Sequence, residues 1–349
     1  MKRSTGHWDV GLRRRVGMDV ERRSTRRKLL VALGAGLAAP LASFAQQQPA
    51  KVVRIGWLGT AFASGYVREV DAVRAGLREL GYVEGRNIVI EYRWAENNPD
   101  RLKEMAAELV ALKVDVIITH SIPGARTAGQ ATKTIPIVIA DAGDPVATGL
   151  VASLARPGGN ITGSTSFLTE VTAKRFELLK EALPRIIRVA VLVNPNNPFV
   201  AISLKSMEAA AKTMKVELLQ FPVRETGDIP GAFIAMAKAK VDAAVIAEEP
   251  LLNSNAGVIA GLAAIQRIPA VGFTNLADAG GLLAYGANRP VVFGRAAYFV
   301  DRILKGAKPG DLPIERATKF ELIINMKTAK ALGIKIPQSI LVRADKVIE

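Results

Sequence analysis

From Lys51 to the C-terminus, short apolar runs alternate with longer segments whose apolar residues recur at helical spacing. Strands separated by helices pair in parallel through right-handed crossovers, so this alternation limits the chain to an α/β fold with parallel sheets. Residues 52–58, 87–92, 114–119 and 135–140 are the strands of a first run. Helices are expected over about 66–80, where Val70, Val73, Leu77 and Leu80 share a face, over 98–112 behind Asn97-Asn98-Pro99-Asp100, and up to about Thr132. A second run follows. Its strands are expected at 188–193, 216–221, 243–247, 270–273 and 320–325, with helices near 169–183, 200–214, 229–238, 255–266, 292–304 and 327–332. Two runs imply two similar lobes, although no internal sequence repeat is visible.

The runs meet at residues 141–164, DAGDPVATGLVASLARPGGNITGS. Two acids, Asp141 and Asp144, lie just past an apolar strand. A short amphipathic helix carrying Leu150, Val151 and Leu154 is expected next, stopped by Pro157-Gly158-Gly159. Residues 160–163 are expected to cross into the second half, and residues 278–286, DAGGLLAYG, to cross back. An ordinary βα unit with a Gly-rich cap is the alternative for the first of these stretches.

A chain of 349 residues has room for two domains. Its net charge of +15 would suit nucleic acid or an anionic membrane. The distribution argues otherwise: residues 1–45 hold ten Lys/Arg against three acids, and the rest holds 37 against 29. No basic run is interleaved with aromatics as in single-strand binders, so no nucleic-acid partner is expected. The 349 residues include no cysteine, which excludes disulfides, thiolate metal sites and a Cys nucleophile. Histidines number two, His7 and His120, so a metal cluster or a Ser-His-Asp triad would rest on His120.

Residues 1–45 have the form of an export signal. Arg26-Arg27 precedes an uncharged stretch to Ala45, with Ser43 and Ala45 at the small positions before a cleavage site. A twin-arginine-type signal peptide, cleavage near Ala45 and a mature chain from Gln46 are the expectations. Translation from Met18 is a second expectation, because nothing before it has a structural pattern.

In an open parallel sheet, ligands bind beyond the carboxyl ends of the strands. Here those ends carry Gly59, Thr60 and Ser64, then His120 and Ser121, Asp141 and Asp144, Asn194, and Glu248. With Phe273 and Tyr285 they form the candidate ligand-binding set. Trp57, Phe62, Phe273 and Tyr285 could cover an apolar part. Helix capping is the alternative for each polar member. Adjacent Glu248 and Glu249 are not expected to face one site, because side chains alternate along an extended chain. Nucleophile-elbow, Walker A and dinucleotide signatures are missing, and neither a cofactor nor a metal is expected.

Four blocks carry a family resemblance: GLRELGYVEGRNIVIEYRWAE from Gly76, DPVATGLVASLARPGGNITGSTS from Asp144, GGLLAYG from Gly280, and KFELIINMKTAKALGIKIPQSILVRADKVIE from Lys319. Over residues 51–349 the chain resembles the ABC-transporter substrate-binding family of the type I periplasmic binding protein fold. The resemblance implies two Rossmann-like lobes joined by a three-crossover hinge, with the third crossover near 313–320. Lobe one would be 51–158 plus 283–313, and lobe two 162–280 plus 318–349. It implies no catalysis. It implies instead a monomeric periplasmic receptor that captures a small organic solute, an amino acid or related acid, and hands it to an ABC permease in the inner membrane. A ligand-sensing subunit for a membrane receptor is the nearest alternative. A secreted hydrolase using Asp141 or Glu248 is the more distant one.

Overall fold

The computed structural model describes residues 52–166 and 168–349. The expected export signal and mature start lie outside them. The first run gives β1 (Val53–Gly59), α1 (Val67–Glu79), β2 (Ile88–Trp94), α2 (Pro99–Ala111), β3 (Val116–Thr119), α3 (Ser121–Ala131), β4 (Ile137–Ile139) and β5 (Ile161–Thr165). The second gives α4 (Leu168–Ala182), β6 (Arg188–Val193), α5 (Val200–Thr213), β7 (Glu217–Pro222), α6 (Asp228–Lys238), β8 (Ala243–Ile246), α7 (Pro250–Ser254), α8 (Ala256–Ile265), β9 (Ala270–Gly272), α9 (Thr274–Asp278) and β10 (Leu283–Ala287). The chain closes with α10 (Arg289–Gly294), α11 (Ala296–Leu304), β11 (Glu315–Arg316), β12 (Phe320–Asn325), α12 (Met326–Leu332), α13 (Gln338–Leu341) and β13 (Lys346–Ile348).

Among the described residues these strands form two sheets, ordered β11-β5-β4-β3-β1-β2 and β13-β12-β10-β9-β8-β6-β7. Both contain the doubly wound order 2-1-3-4-5, β2-β1-β3-β4-β5 in one and β7-β6-β8-β9-β10 in the other, so the two runs share a topology without sharing a sequence. The central strands are apolar on both faces because helices cover both: every residue of β3, β4 and β8 is buried. Helix starts follow local chemistry. Asn98 accepts from the Asp100 and Arg101 backbone N–H groups ahead of α2, and Asn288 and Asn325 cap α10 and α12 the same way.

The crossovers differ from expectation. Residues 160–163 do not leave the first lobe; β5 pairs with β4, and the chain crosses only after Thr165. Residues 283–287 form β10, a strand of the second sheet paired with β9, and the return comes at Asn288. Lobe one therefore extends through Thr165 and resumes at Arg289, where α10 and α11 send Phe293, Phe299 and Val300 into the core around Ile55 and Trp57. The third passage lies between Arg316 and Phe320. In both misplaced cases a Gly-flanked strand had the look of a linker. One pair also breaks the all-parallel expectation, since β12 runs antiparallel to β10.

The short helix expected near 150–154 does not form. Asp144 turns the chain instead, its Oδ1 accepting from the Val146 and Ala147 backbone N–H groups at 3.1 and 2.9 Å. Leu150 and Val151 both donate to the Pro145 carbonyl, and Gly149 has φ +67°. Residues 145–154 form successive turns.

Gly163 shows why β5 needs glycine. Its φ is +136°, and a Cβ there would stand 2.0 Å from the Ile139 carbonyl oxygen of the neighbouring strand. Gly163→Ala should cost about 3 kcal/mol or more and lower the thermal midpoint by roughly 6 °C. An unchanged melting curve, followed by circular dichroism, would contradict this close packing.

Candidate functional site

The switch points of the two sheets lie between β1 and β3 and between β6 and β8, and residues following all four strands border one cleft. Its inner chamber has about 430 Å³ of empty space. Lobe one lines it with Tyr66, His120, Ser121, Asp141, Arg289 and Phe293; lobe two adds Asn197, Phe199, Glu248, Glu249 and Asn253. The lobes meet closely around it. A Cβ on Gly65 would lie 3.1 Å from Ser254 Cα, and one on Gly143 2.9 Å from the Phe199 ring. Phe199 itself packs into the core of lobe one with Leu58, Ile122 and Ile314. Arg68 of α1 reaches Asp278 of α9 at 3.6 Å.

Arg289 is the central cation, only 3% exposed. It sits in the first turn of α10, where the helix dipole disfavours positive charge. Its Nε lies 3.5 Å from Glu69, and its guanidinium lies over the Tyr66 ring at 4.9 Å and the Phe293 ring at 5.7 Å. Burial works against its charge, but Glu69, Tyr66, Glu248 and Asp141 outweigh that and raise its pKa. Its Nη1 is buried and has no hydrogen-bond partner. Nor does the buried Oδ1 of Asn253, on the opposite lobe. A buried donor and a buried acceptor left unmet in one cavity are costly unless something else satisfies them.

The acids are held in distinct ways. Asp141 accepts from the Ser166 backbone N–H at 2.8 Å and from its hydroxyl at 2.7 Å. Burial and then the charge of Glu248 push its pKa up to about 7. Glu248 is ion-paired with Arg175, which is 1% exposed and whose Nε donates to the Tyr285 carbonyl at 2.6 Å. Glu249 caps α7, accepting from Leu252 N–H at 2.6 Å and from Asn194 Nδ2 at 3.1 Å; burial pushes it up to about 7. The two glutamates diverge as alternation requires, yet both border the chamber, which corrects the expectation that one would face away.

His120 is buried and stacks on Tyr66, with 4.2 Å between ring centroids. Its Nε2 accepts from the Thr60 backbone N–H at 3.3 Å. That assigns the ring proton to Nδ1. Burial and Arg289 hold the pKa down to about 3, so the imidazole stays neutral. Ser121 has φ +64°, a strained position for a residue with a side chain, tied by its N–H to the Asp141 carbonyl at 2.7 Å.

Of the expected set, His120, Ser121, Asp141 and Glu248 come together in this chamber, and Thr60 and Asn194 line an adjoining one. Ser64 lies on a neighbouring groove that Arg289 and Asn253 also line. Four residues take structural roles. Gly59 leaves room for Trp94, whose ring would stand 2.1 Å from a Cβ. Asp144 caps its turn. Phe273 is fully buried in the core of lobe two. Tyr285 stacks on Phe320 and offers only its carbonyl to Arg175. Trp57 is core, and Phe62 is exposed. The residues missed are Tyr66, Asn197, Phe199, Asn253, Arg289 and Phe293. Arg289 had a visible signal: a cation directly after an Asn cap, at the wrong end of a helix.

The profile of the family described as ABC transporter substrate binding protein matches residues 63–348. The chain belongs to this family. It is a solute-binding protein of an ABC transporter, with the type I periplasmic binding protein fold. A tyrosine-binding protein of Clostridioides difficile is 29% identical over 260 residues, 74% of each chain. A crystal structure of a conserved domain protein from Vibrio cholerae superposes with a TM-score of 0.80 at 28% identity, covering 85% of this chain and 100% of that one. An ABC domain from Streptococcus pneumoniae in complex with L-Trp gives 0.78 at 26% identity, covering 85% and 99%.

Asp141 carries a pH signature. Its folded pKa of about 7 exceeds the ordinary 3.8, so the folded state holds a proton that the unfolded state has lost between those values, and this group's contribution falls as pH rises through that window. His120 has the opposite sign below 6.5, so the difference between wild type and Asp141→Asn isolates the effect. The variant should gain thermal stability relative to wild type as pH rises from 4 to 7; a difference independent of pH would contradict the assignment.

Proposed function

We propose that the inner chamber captures the zwitterionic head of an α-amino acid. Arg289 Nη1 and His120 Nδ1–H would receive the carboxylate. Asn253 Oδ1 and Asp141 would receive the ammonium. The observation that carries this reading is the pair of unmet buried atoms, a cationic donor from one lobe and a neutral acceptor from the other, in a single cavity. A zwitterion supplies both missing partners, whereas a sugar brings no charge to answer Arg289. The names of the tyrosine-binding relative and the L-Trp complex support the same ligand class.

Both lobes contribute to the head group's contacts, so binding favours the closed arrangement over an open one, and the three crossovers after Thr165, at 288 and at 317–319 supply the hinge. In this reading the mature chain works as a periplasmic monomer, delivering the amino acid to an importer permease and carrying out no chemistry. Glu248 is committed to Arg175, and burial makes His120 a weak base.

Isothermal titration of the protein from Gln46 tests this. L-amino acids should be compared with their deaminated and decarboxylated analogues. Loss of either charged group should weaken binding by roughly 30-fold or more, since a buried partner is left unpaired. An analogue lacking one group that binds as tightly as the parent amino acid would overturn the zwitterion reading.

A further inference from the structure

The cleft has a second, outer chamber with about 730 Å³ of empty space open to solvent, adjoining the inner one at Asn197, Glu249 and Pro250, which line both. A ligand whose head occupies the inner chamber has this space for its side chain. Pro99, Leu102, Pro123 and Leu251 supply apolar wall.

The polar atoms around that wall are unequally committed. Most of the side-chain acceptor oxygens are used: Asn98 Oδ1 takes Asp100 N–H at 2.9 Å, Asn194 Oδ1 takes Asn196 N–H at 3.0 Å, and Asn197 Oδ1 takes Phe199 N–H at 3.0 Å. Both oxygens of Glu249 are also bonded. Asn194 Nδ2 donates to Glu249, but several other donors are not used. Asn97 Nδ2 is buried with no partner. Among the described residues, the amide nitrogens of Asn98 and Asn197 donate to nothing, and the Arg224 guanidinium has no ion pair, while Lys103 is neutralised by Asp100 at 2.9 Å. A chamber that offers N–H groups and a cation without an ion pair, with most of its side-chain acceptors bonded, favours an acceptor that carries negative charge.

We infer that the outer chamber is a subsite for a distal carboxylate, and that the solute is an acidic amino acid with a linear side chain, glutamate or its homologue 2-aminoadipate, rather than an aromatic one. The methylenes would run along Pro99, Leu102 and Leu251, and the carboxylate would meet Asn97 and Arg224. This rests on the zwitterion reading of the inner chamber and deepens it.

Titration with L-glutamate, L-2-aminoadipate, L-norleucine, L-tyrosine and L-tryptophan separates the two claims. The better of the two acidic ligands should bind at least tenfold more tightly than norleucine and than either aromatic. Arg224 is exposed, so Arg224→Gln should fold normally, and in it the preference for the acidic ligand over norleucine should shrink to threefold or less. Equal or tighter binding of norleucine, tyrosine or tryptophan, or a preference retained in Arg224→Gln, would overturn the distal subsite while leaving the zwitterion head in place. Failure of all five to bind would overturn the head-group reading itself.

Discussion

Parallel neighbours can be joined only by crossovers, and each crossover winds right-handed, so a sheet in the order 2-1-3-4-5 must part its connections between its first and third strands. This chain builds that arrangement twice. The gaps between β1 and β3 and between β6 and β8 are where backbone ends can carry polar side chains without breaking a hydrogen-bond ladder. Placing the gaps face to face puts Thr60 and His120 of one lobe across from Asn194 and Glu248 of the other. The polar cleft is a consequence of the winding, and the hydrophobic cores packed on each sheet hold the strand ends of each lobe in place.

The winding brings charge into a place with little water. Several ionisable groups with buried side chains, Arg175, Glu248, Glu249 and Arg289 among them, border or support one cavity. Burying an unpaired charge is costly, and most of these are answered within the protein: Arg175 by Glu248 and the Tyr285 carbonyl, Glu249 by Asn194 and the start of α7. Arg289 is answered only in part. Glu69 neutralises it from behind at 3.5 Å and two aromatic faces cover it, but Nη1 keeps a free N–H. The neighbours that are satisfied are those with structural work, and the exceptions, Arg289 and Asn253, are the groups on which the proposed head-group site rests.

Much of the fold was legible in the sequence because patterning alone decides it. Runs such as residues 188–193 and 243–246 admit no element other than a buried strand, and Asn-Pro-Asp at 98–100 starts a helix by local chemistry. What was not legible depends on partners remote in sequence. β5 and β10 looked like linkers because glycines flank or interrupt them; only their pairing with Ile139 and Val271 makes them strands. At the cleft, topology places strand-end residues such as His120 and Asp141, and both border the inner chamber. Phe273 and Tyr285 were misjudged because an aromatic after a strand serves the core as readily as a cleft. Tyr66, Phe199 and Arg289 reach the cavity from helix starts, and it was the fold of both lobes together that brought them there.

The most direct measurement is a crystal structure of the protein with its tightest-binding amino acid. The account predicts the ligand between the lobes, its carboxylate within about 3 Å of Arg289 Nη1 and its ammonium within about 3 Å of Asn253 Oδ1. A ligand turned end for end, or one seated in the outer chamber with Arg289 untouched, would contradict it.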